Sequence, residues 1–269
     1  MPVTVLSHPA CNRHNVGSDH PENPARLHAI SDQILSSGLE FVIHQRDAKA
    51  ADVEQIALAH DRAYIQSVIS KSPSAGQVWL DDDTAIMNKS LEAAMYAAGA
   101  GIMAVDLVMQ GHDQQVFCAI RPPGHHAESA QAMGFCVFNN IAIAAKYALA
   151  QYGLRRVAII DFDVHHGNGT EQIFRTDERV LFCSSFEHPF YPYTDPIGTP
   201  LCLKMPLAAG SQGAAFRHAF TSEWLPALRA FQPELILVSA GFDAHQEDEM
   251  AHLKWTEHDY AWIASELKQ

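Results

Sequence analysis

The run Val157-Ala-Ile-Ile-Asp161-Phe-Asp163-Val-His165-His166-Gly-Asn168-Gly decides how this chain is read. Four apolar residues give way at once to two carboxylates and two imidazoles, as expected of a buried strand that ends in a ligand-bearing loop. Two further stretches repeat the pattern: Val116-Phe-Cys-Ala-Ile-Arg121-Pro-Pro-Gly-His125-His126 and Leu235-Ile-Leu-Val-Ser-Ala-Gly241-Phe-Asp243. In open α/β sheets ligands collect outside the carboxyl ends of the strands, where all three runs put their polar residues.

Working outward, short β-branched runs at Val3 to Leu6, Val116 to Ile120, Val157 to Ile160, Val180 to Cys183 and Leu235 to Val238 read as strands. They alternate with helical segments expected at Pro24 to Ser36, Leu91 to Met109, Asn139 to Tyr152, Gly213 to Phe231 and Glu257 to Lys268. Alternation of this kind predicts an α/β fold of three layers, α/β/α, around a mainly parallel sheet. The 269 residues are read as a single domain, 1–269, without repeats or linkers.

A net charge of −13 argues against direct nucleic-acid binding and favours a cationic partner. The five cysteines form no Cys-x-x-Cys pair, so neither a disulfide framework nor a thiolate cage is indicated, and a reducing compartment fits. No stretch is read as approaching the ~20 apolar residues that span a bilayer, and no secretory leader is evident. The expectation is a cytoplasmic protein with no membrane partner.

Asp163 and His165 lie two apart at a strand end, so in extended geometry both side chains point the same way and can share a cation. Asp243 would complete an Asp/His/Asp set that suits Zn²⁺, Fe²⁺, Co²⁺ or Mn²⁺ and leaves a position for water. An ion so held makes water acidic and polarises a carbonyl, which points to metal-assisted hydrolysis. Such a reaction needs a base for the water and an acid for the leaving amine, and the tandem His125-His126 could divide those tasks. Asp161 and Asn168 are suitable partners for the second ring nitrogens. Taken alone, Phe135 and Tyr191 read equally as core aromatics or pocket walls, Cys136 as a small buried hydrophobe, Asp81 to Thr84 as a solvated turn and helix cap, and His245, His252 and His258 as ordinary surface residues.

Together these residues resemble the histone deacetylase superfamily, in particular its bacterial class II-like deacetylases and acetylpolyamine amidohydrolases. The similarity runs in order through His20-Pro-Glu-Asn-Pro-Ala-Arg26, Arg121-Pro-Pro-Gly-His-His126, Gly134-Phe-Cys136, Asp161-Phe-Asp-Val-His-His-Gly-Asn-Gly-Thr170 and Ser239-Ala-Gly-Phe-Asp243. Asn168 in place of an aspartate resembles the class II pattern. The resemblance implies an arginase-like α/β fold, zinc on Asp163, His165 and Asp243, His126 as general base and His125 as its electrostatic partner or acid. Asp161 and Asn168 would stand behind that pair. It further implies a channel for an acylated lysine walled by Phe135, with Gly134 beside it, and Tyr191, and a rim residue at Asp83. A structural K⁺ would sit on backbone oxygens of Asp161, Asp163 and His165 with the Ser184 hydroxyl. Where the family sets substrate choice this chain has Asp248-Glu249-Met250, and Met250 resembles lysine deacylases rather than polyamine enzymes.

The family pattern continues past the last helix into a Gly-Gly-Tyr loop, whereas this chain ends at Lys268-Gln269 and none of its seven tyrosines lies in that motif. That implies a truncated enzyme or a natural short form with a weakened site, and a sheet edge open to a pairing partner, hence an oligomer. The substrate expected is an acetylated lysine peptide or protein, or a small acylated amine. The alternatives are an acetylpolyamine amidohydrolase and a low-activity form that binds acyl-amines without turning them over. An arginase-type binuclear manganese site is disfavoured because Gly167 stands where that site adds an aspartate.

Overall fold

Runs apolar on both faces become inner strands, and alanine-rich runs become the helices that cover them. A computed structural model describes residues 3–17 and 20–268, and the chain divides into two compact units, Met1–Gly153 and Leu154–Gln269.

The first unit contains β1 (Val3–Ser7), α1 (Ala25–Ser36), β2 (Ile43–Asp47), α2 (Val53–Ile56), α3 (Arg62–Lys71), β3 (Gln77–Trp79), β4 (Ala85–Met87), α4 (Ser90–Met109), β5 (Val116–Cys118) and α5 (Asn140–Gln151). Its parallel sheet has the order β2-β1-β5, with Val5 paired to Gln45 on one side and Phe117 on the other. β3 and β4 form a separate antiparallel hairpin. The strand β2 escapes sequence reading because it is an edge: past Ile43 its residues are polar and exposed.

Helix α4 corrects the expectation about apolar length. At 20 residues it is long and apolar enough to cross a membrane by length and composition. Its small residues Ala93, Ala94, Ala97, Ala98 and Ala100 are instead buried within the unit, where the helix packs against α5 and β1. Small side chains permit this close approach: a Cβ on Gly99 would overlap the backbone of Lys49 to Ala51.

His60 anchors the start of α5. It is 3% exposed, and its Nε2 accepts a 2.8 Å hydrogen bond from the backbone N–H of Asn139, the residue that caps α5 through Ala142 N–H. Burial lowers the His60 pKa from 6.5 to about 4, so the folded chain holds a neutral ring. The unfolded chain takes up this proton first as pH falls. The stability that His60 contributes is therefore complete above pH 6.5 and lost between pH 6.5 and about 4, by about 3 kcal/mol in total. Chemical denaturation at a series of pH values checks this: His60→Gln flattens the decline across that window, and parallel curves for the two proteins would contradict it.

The second unit contains β6 (Val157–Asp161), α6 (Asn168–Phe174), β7 (Val180–Glu187), β8 (Cys202–Leu207), α7 (Gly213–Ala219), α8 (Leu225–Phe231), β9 (Leu235–Ser239) and α9 (Glu257–Glu266). Its strands are all parallel in the order β8-β7-β6-β9, and every residue of β6 is buried. The aromatic core of Phe216, Phe220, Trp224 and Trp255 is fully buried. The predicted helix Gly213 to Phe231 is interrupted by a π-helical turn, Phe220–Trp224. Pro226, at the start of α8, has no N–H for the preceding turn, so the backbone steps around it. Strand β8 was not anticipated because Lys204 and Pro206 break its apolar run. It lies at the edge of its sheet, where proline is tolerated. The result is an α/β chain with parallel sheets and flanking helices, as the strand pattern predicts.

Candidate metal centre

Strand β6 ends at Asp161, fully buried, and the next turn carries Asp163 and His165. Strand β9 runs parallel to β6, so Asp243, four residues beyond its end, returns to the same strand ends. Ligand atoms of Asp163, His165 and Asp243 all lie within 4.8 Å of one another. His165 Nδ1 stands 3.0 Å from Asp163 Oδ1 and 3.0 Å from Asp243 Oδ2. The carboxylates are aimed by backbone donors: Val164 N–H to Asp243 at 2.9 Å and His165 N–H to Asp163 at 2.8 Å. Asp161 in turn accepts from Asp163 N–H at 3.2 Å. Gly241 is required here, since a Cβ would overlap the Asp163 side chain.

The three groups shift one another's protonation. Burial and the charge of neighbouring Asp163 both raise the Asp243 pKa. Burial alone would keep His165 neutral, but hydrogen bonds and charge from Asp163 and Asp243 outweigh it and raise its pKa to about 10. One buried and one half-buried carboxylate around one imidazole nitrogen form a donor set that suits a divalent ion of borderline softness.

Behind the ligands lies a network that sequence reading missed. His166, fully buried, hydrogen-bonds Ser184 Oγ through Nδ1 at 2.9 Å and Glu171 through Nε2 at 2.7 Å. Lys204, also buried, pairs with Glu171 at 2.9 Å and donates to the Asp195 carbonyl at 2.8 Å. Burial opposes charge on Glu171, yet His166 and Lys204 hold its pKa down at about 2. Ser184 is the register partner of Asp161 across β6 and β7.

Aromatic rings line the ligand side. Tyr191 meets His165 edge-on at 5.9 Å, and Phe190 stacks on it at 5.6 Å. Phe190 was legible only as part of an aromatic loop. Met250 is half-buried, and its N–H donates to Asp248 at 2.8 Å. His252 lies at the surface as expected, and its N–H and Nδ1 both bind buried Glu187, at 2.7 and 2.8 Å. Asn168 is buried in the first turn of α6.

In the first unit His125 and His126 are both buried, with ring centroids 4.0 Å apart. Gly134 lies against the His126 ring, where any Cβ would collide. Phe135 is half-buried and packs edge-on against His20 at 4.6 Å. Asp83 accepts hydrogen bonds from Gly134 N–H and the Thr84 hydroxyl, both at 2.8 Å, so it belongs to this cluster and not to a free turn. Cys136 is buried as expected, with its thiol 3.3 Å from the Gly134 carbonyl. The Arg121 guanidinium forms a buried pair with Glu22 and donates to the Cys11 carbonyl at 3.1 Å. That pair ties the His20-Pro-Glu22 motif to the loop preceding the histidines.

The model of the histone deacetylase domain matches residues 20–269. Histone deacetylase 14, chloroplastic, of Arabidopsis thaliana is 37% identical over 98% of this chain and 68% of its own length. The uncharacterized protein slr0245 of Synechocystis sp. is 38% identical over 96% of this chain and 86% of its own. Among solved structures, the HDA15 HD domain superposes with a TM-score of 0.94 at 31% identity, covering 99% of this chain and 79% of that one. With the ligand triad at the strand ends and the family model spanning all of its motifs, the chain belongs to the histone deacetylase family.

Proposed function

We propose that this chain hydrolyses the amide of an acetylated lysine, in a peptide or protein, or of a related acylated amine, and releases acetate. The convergence of Asp163, His165 and Asp243 carries this reading, supported by the family match. The donor set fits Zn²⁺ foremost, with Fe²⁺ or Co²⁺ as alternatives. A divalent ion held by these residues supplies Lewis acidity, lowering the pKa of water and polarising the amide carbonyl.

The remaining work belongs to the chain. His126 is assigned the general base that takes the proton from water, and His125 the partner that stabilises charge and returns a proton to the departing amine nitrogen. Asp161 and Asn168 are assigned the acceptors that orient imidazoles, by the family motif. Tyr191 and Phe135 are assigned the walls around the lysine stem, and Asp83 the rim. The aromatic rings packed on His165 support a water-poor surrounding for the reaction. Met250, an apolar residue where a polyamine ammonium would want an acid, favours acyl-lysine. A structural K⁺ is assigned to Asp161, Asp163, His165 and Ser184, and the register pairing of Asp161 with Ser184 supports it.

Acetate release from an acetyl-lysine peptide tests this. The zinc-loaded chain turns the peptide over and the chelator-treated chain does not. No turnover by a folded, zinc-loaded chain would overturn the proposal.

A further inference from the structure

We infer that Asp83 and Thr84 are positioning residues: they hold the turn Met133-Gly134-Phe135-Cys136 in a disfavoured backbone form that carries Phe135 and backs the His126 ring. The inference rests on the deacetylase reading for its catalytic consequence, and on geometry for the rest.

The turn is a two-residue hairpin. Met133 and Cys136 exchange backbone hydrogen bonds of 2.9 and 3.3 Å, and the two central residues both have positive φ, 58° for Gly134 and 67° for Phe135. That is the type I′ pattern, which favours asparagine followed by glycine and disfavours an aromatic residue at its second centre. The glycine is accounted for by His126, since a Cβ at Gly134 would collide with that ring. The phenylalanine is not accounted for by anything local, and a bulky residue in the left-handed region persists only where its surroundings over-determine it.

The surroundings that do so lie about fifty residues away, in the turn between β3 and β4. In a type I′ turn the central N–H groups point out of the hairpin and need outside acceptors. Asp83 Oδ1 accepts from Gly134 N–H at 2.8 Å, and Thr84 Oγ1 accepts from Phe135 N–H at 3.1 Å. The Thr84 hydroxyl donates its own proton to Asp83 Oδ1 at 2.8 Å, which leaves its oxygen free to accept from Phe135. Thr84 is fully buried, and its carbonyl accepts from Leu80 N–H at 2.8 Å, so the acceptor pair is itself fixed. One acidic and one hydroxyl side chain thus set two consecutive residues, one presenting the proposed channel wall and the other touching the proposed base.

Thr84→Val keeps the shape of the side chain and removes the acceptor for Phe135, whereas Thr84→Ser keeps the acceptor. The expected result is a fall of about tenfold in kcat/KM for an acetyl-lysine peptide in Thr84→Val, the factor that matches one lost hydrogen bond of ordinary net strength. Zinc content stays unchanged, and Thr84→Ser restores the rate. Crystal structures of both variants give the second readout: Phe135 leaves the left-handed region in Thr84→Val and keeps it in Thr84→Ser. A Phe135 that stays in place, or one that moves without a change in kcat/KM, would overturn the inference. If the unaltered chain shows no turnover, the deacetylase reading fails on its own, and the Phe135 conformation in Thr84→Val still decides the positioning. Should Thr84→Val not fold, Thr84→Ala, which removes the same acceptor for Phe135, takes its place with the same two readouts.

Discussion

His126→Ala lowers turnover of an acetyl-lysine peptide by about 10²- to 10⁴-fold, the span expected when a general base is removed, while the protein retains zinc. His126 is 4% exposed, its ring backed by Gly134 and paired with His125 at 4.0 Å. It is therefore held in one orientation, as a base must be. None of the metal ligands changes, so zinc content and turnover separate in this variant. Unchanged turnover in a zinc-loaded His126→Ala protein would assign the base elsewhere, and His125→Ala is then the next variant to measure.

Asp243→Asn abolishes turnover by a different route, through loss of the metal. The carboxylate is 8% exposed, accepts from Val164 N–H at 2.9 Å and shares His165 Nδ1 with Asp163. An amide there is neutral and halves the buried negative charge that compensates a divalent ion, so affinity drops steeply. Metal analysis after gel filtration reads this directly: about one zinc per chain in the parent protein and close to none in Asp243→Asn. Full zinc occupancy in the variant would show that Asp163 and His165 suffice or that the ligand set is wrong.

What could be read from the chain depended on whether the signal was local. β6 is buried on both faces, so its apolar run is continuous and its end is marked by Asp161; the ligand triad followed from that end and the end of β9. β2 and β8 are edges, and the polar side chains that make them so hid them. α4 was legible as a helix, yet its many alanines and glycines masked an apolar length sufficient for a membrane. Pro226 shows in the sequence, but the π-helical turn that absorbs it does not.

Partnerships formed across long separations were the least legible. Asp83 and Thr84 sit in a run of acidic residues that looks like a solvated turn, and only the fold brings them to Gly134 and Phe135. His166 was overlooked between two more conspicuous residues, although its bonds to Ser184 and Glu171 fix the strand end that presents His165. His252 is at the surface, as its sequence suggests, but nothing in its neighbourhood announces the buried Glu187 carboxylate it satisfies.

Titrating zinc into the chelator-stripped chain while following acetate release from an acetyl-lysine peptide tests the central claim most directly. Turnover is absent without metal, rises with zinc and saturates at about one equivalent per chain, the capacity of a single Asp163, His165 and Asp243 site. Full turnover in the stripped chain, or none at any zinc level in a folded chain, would contradict the account.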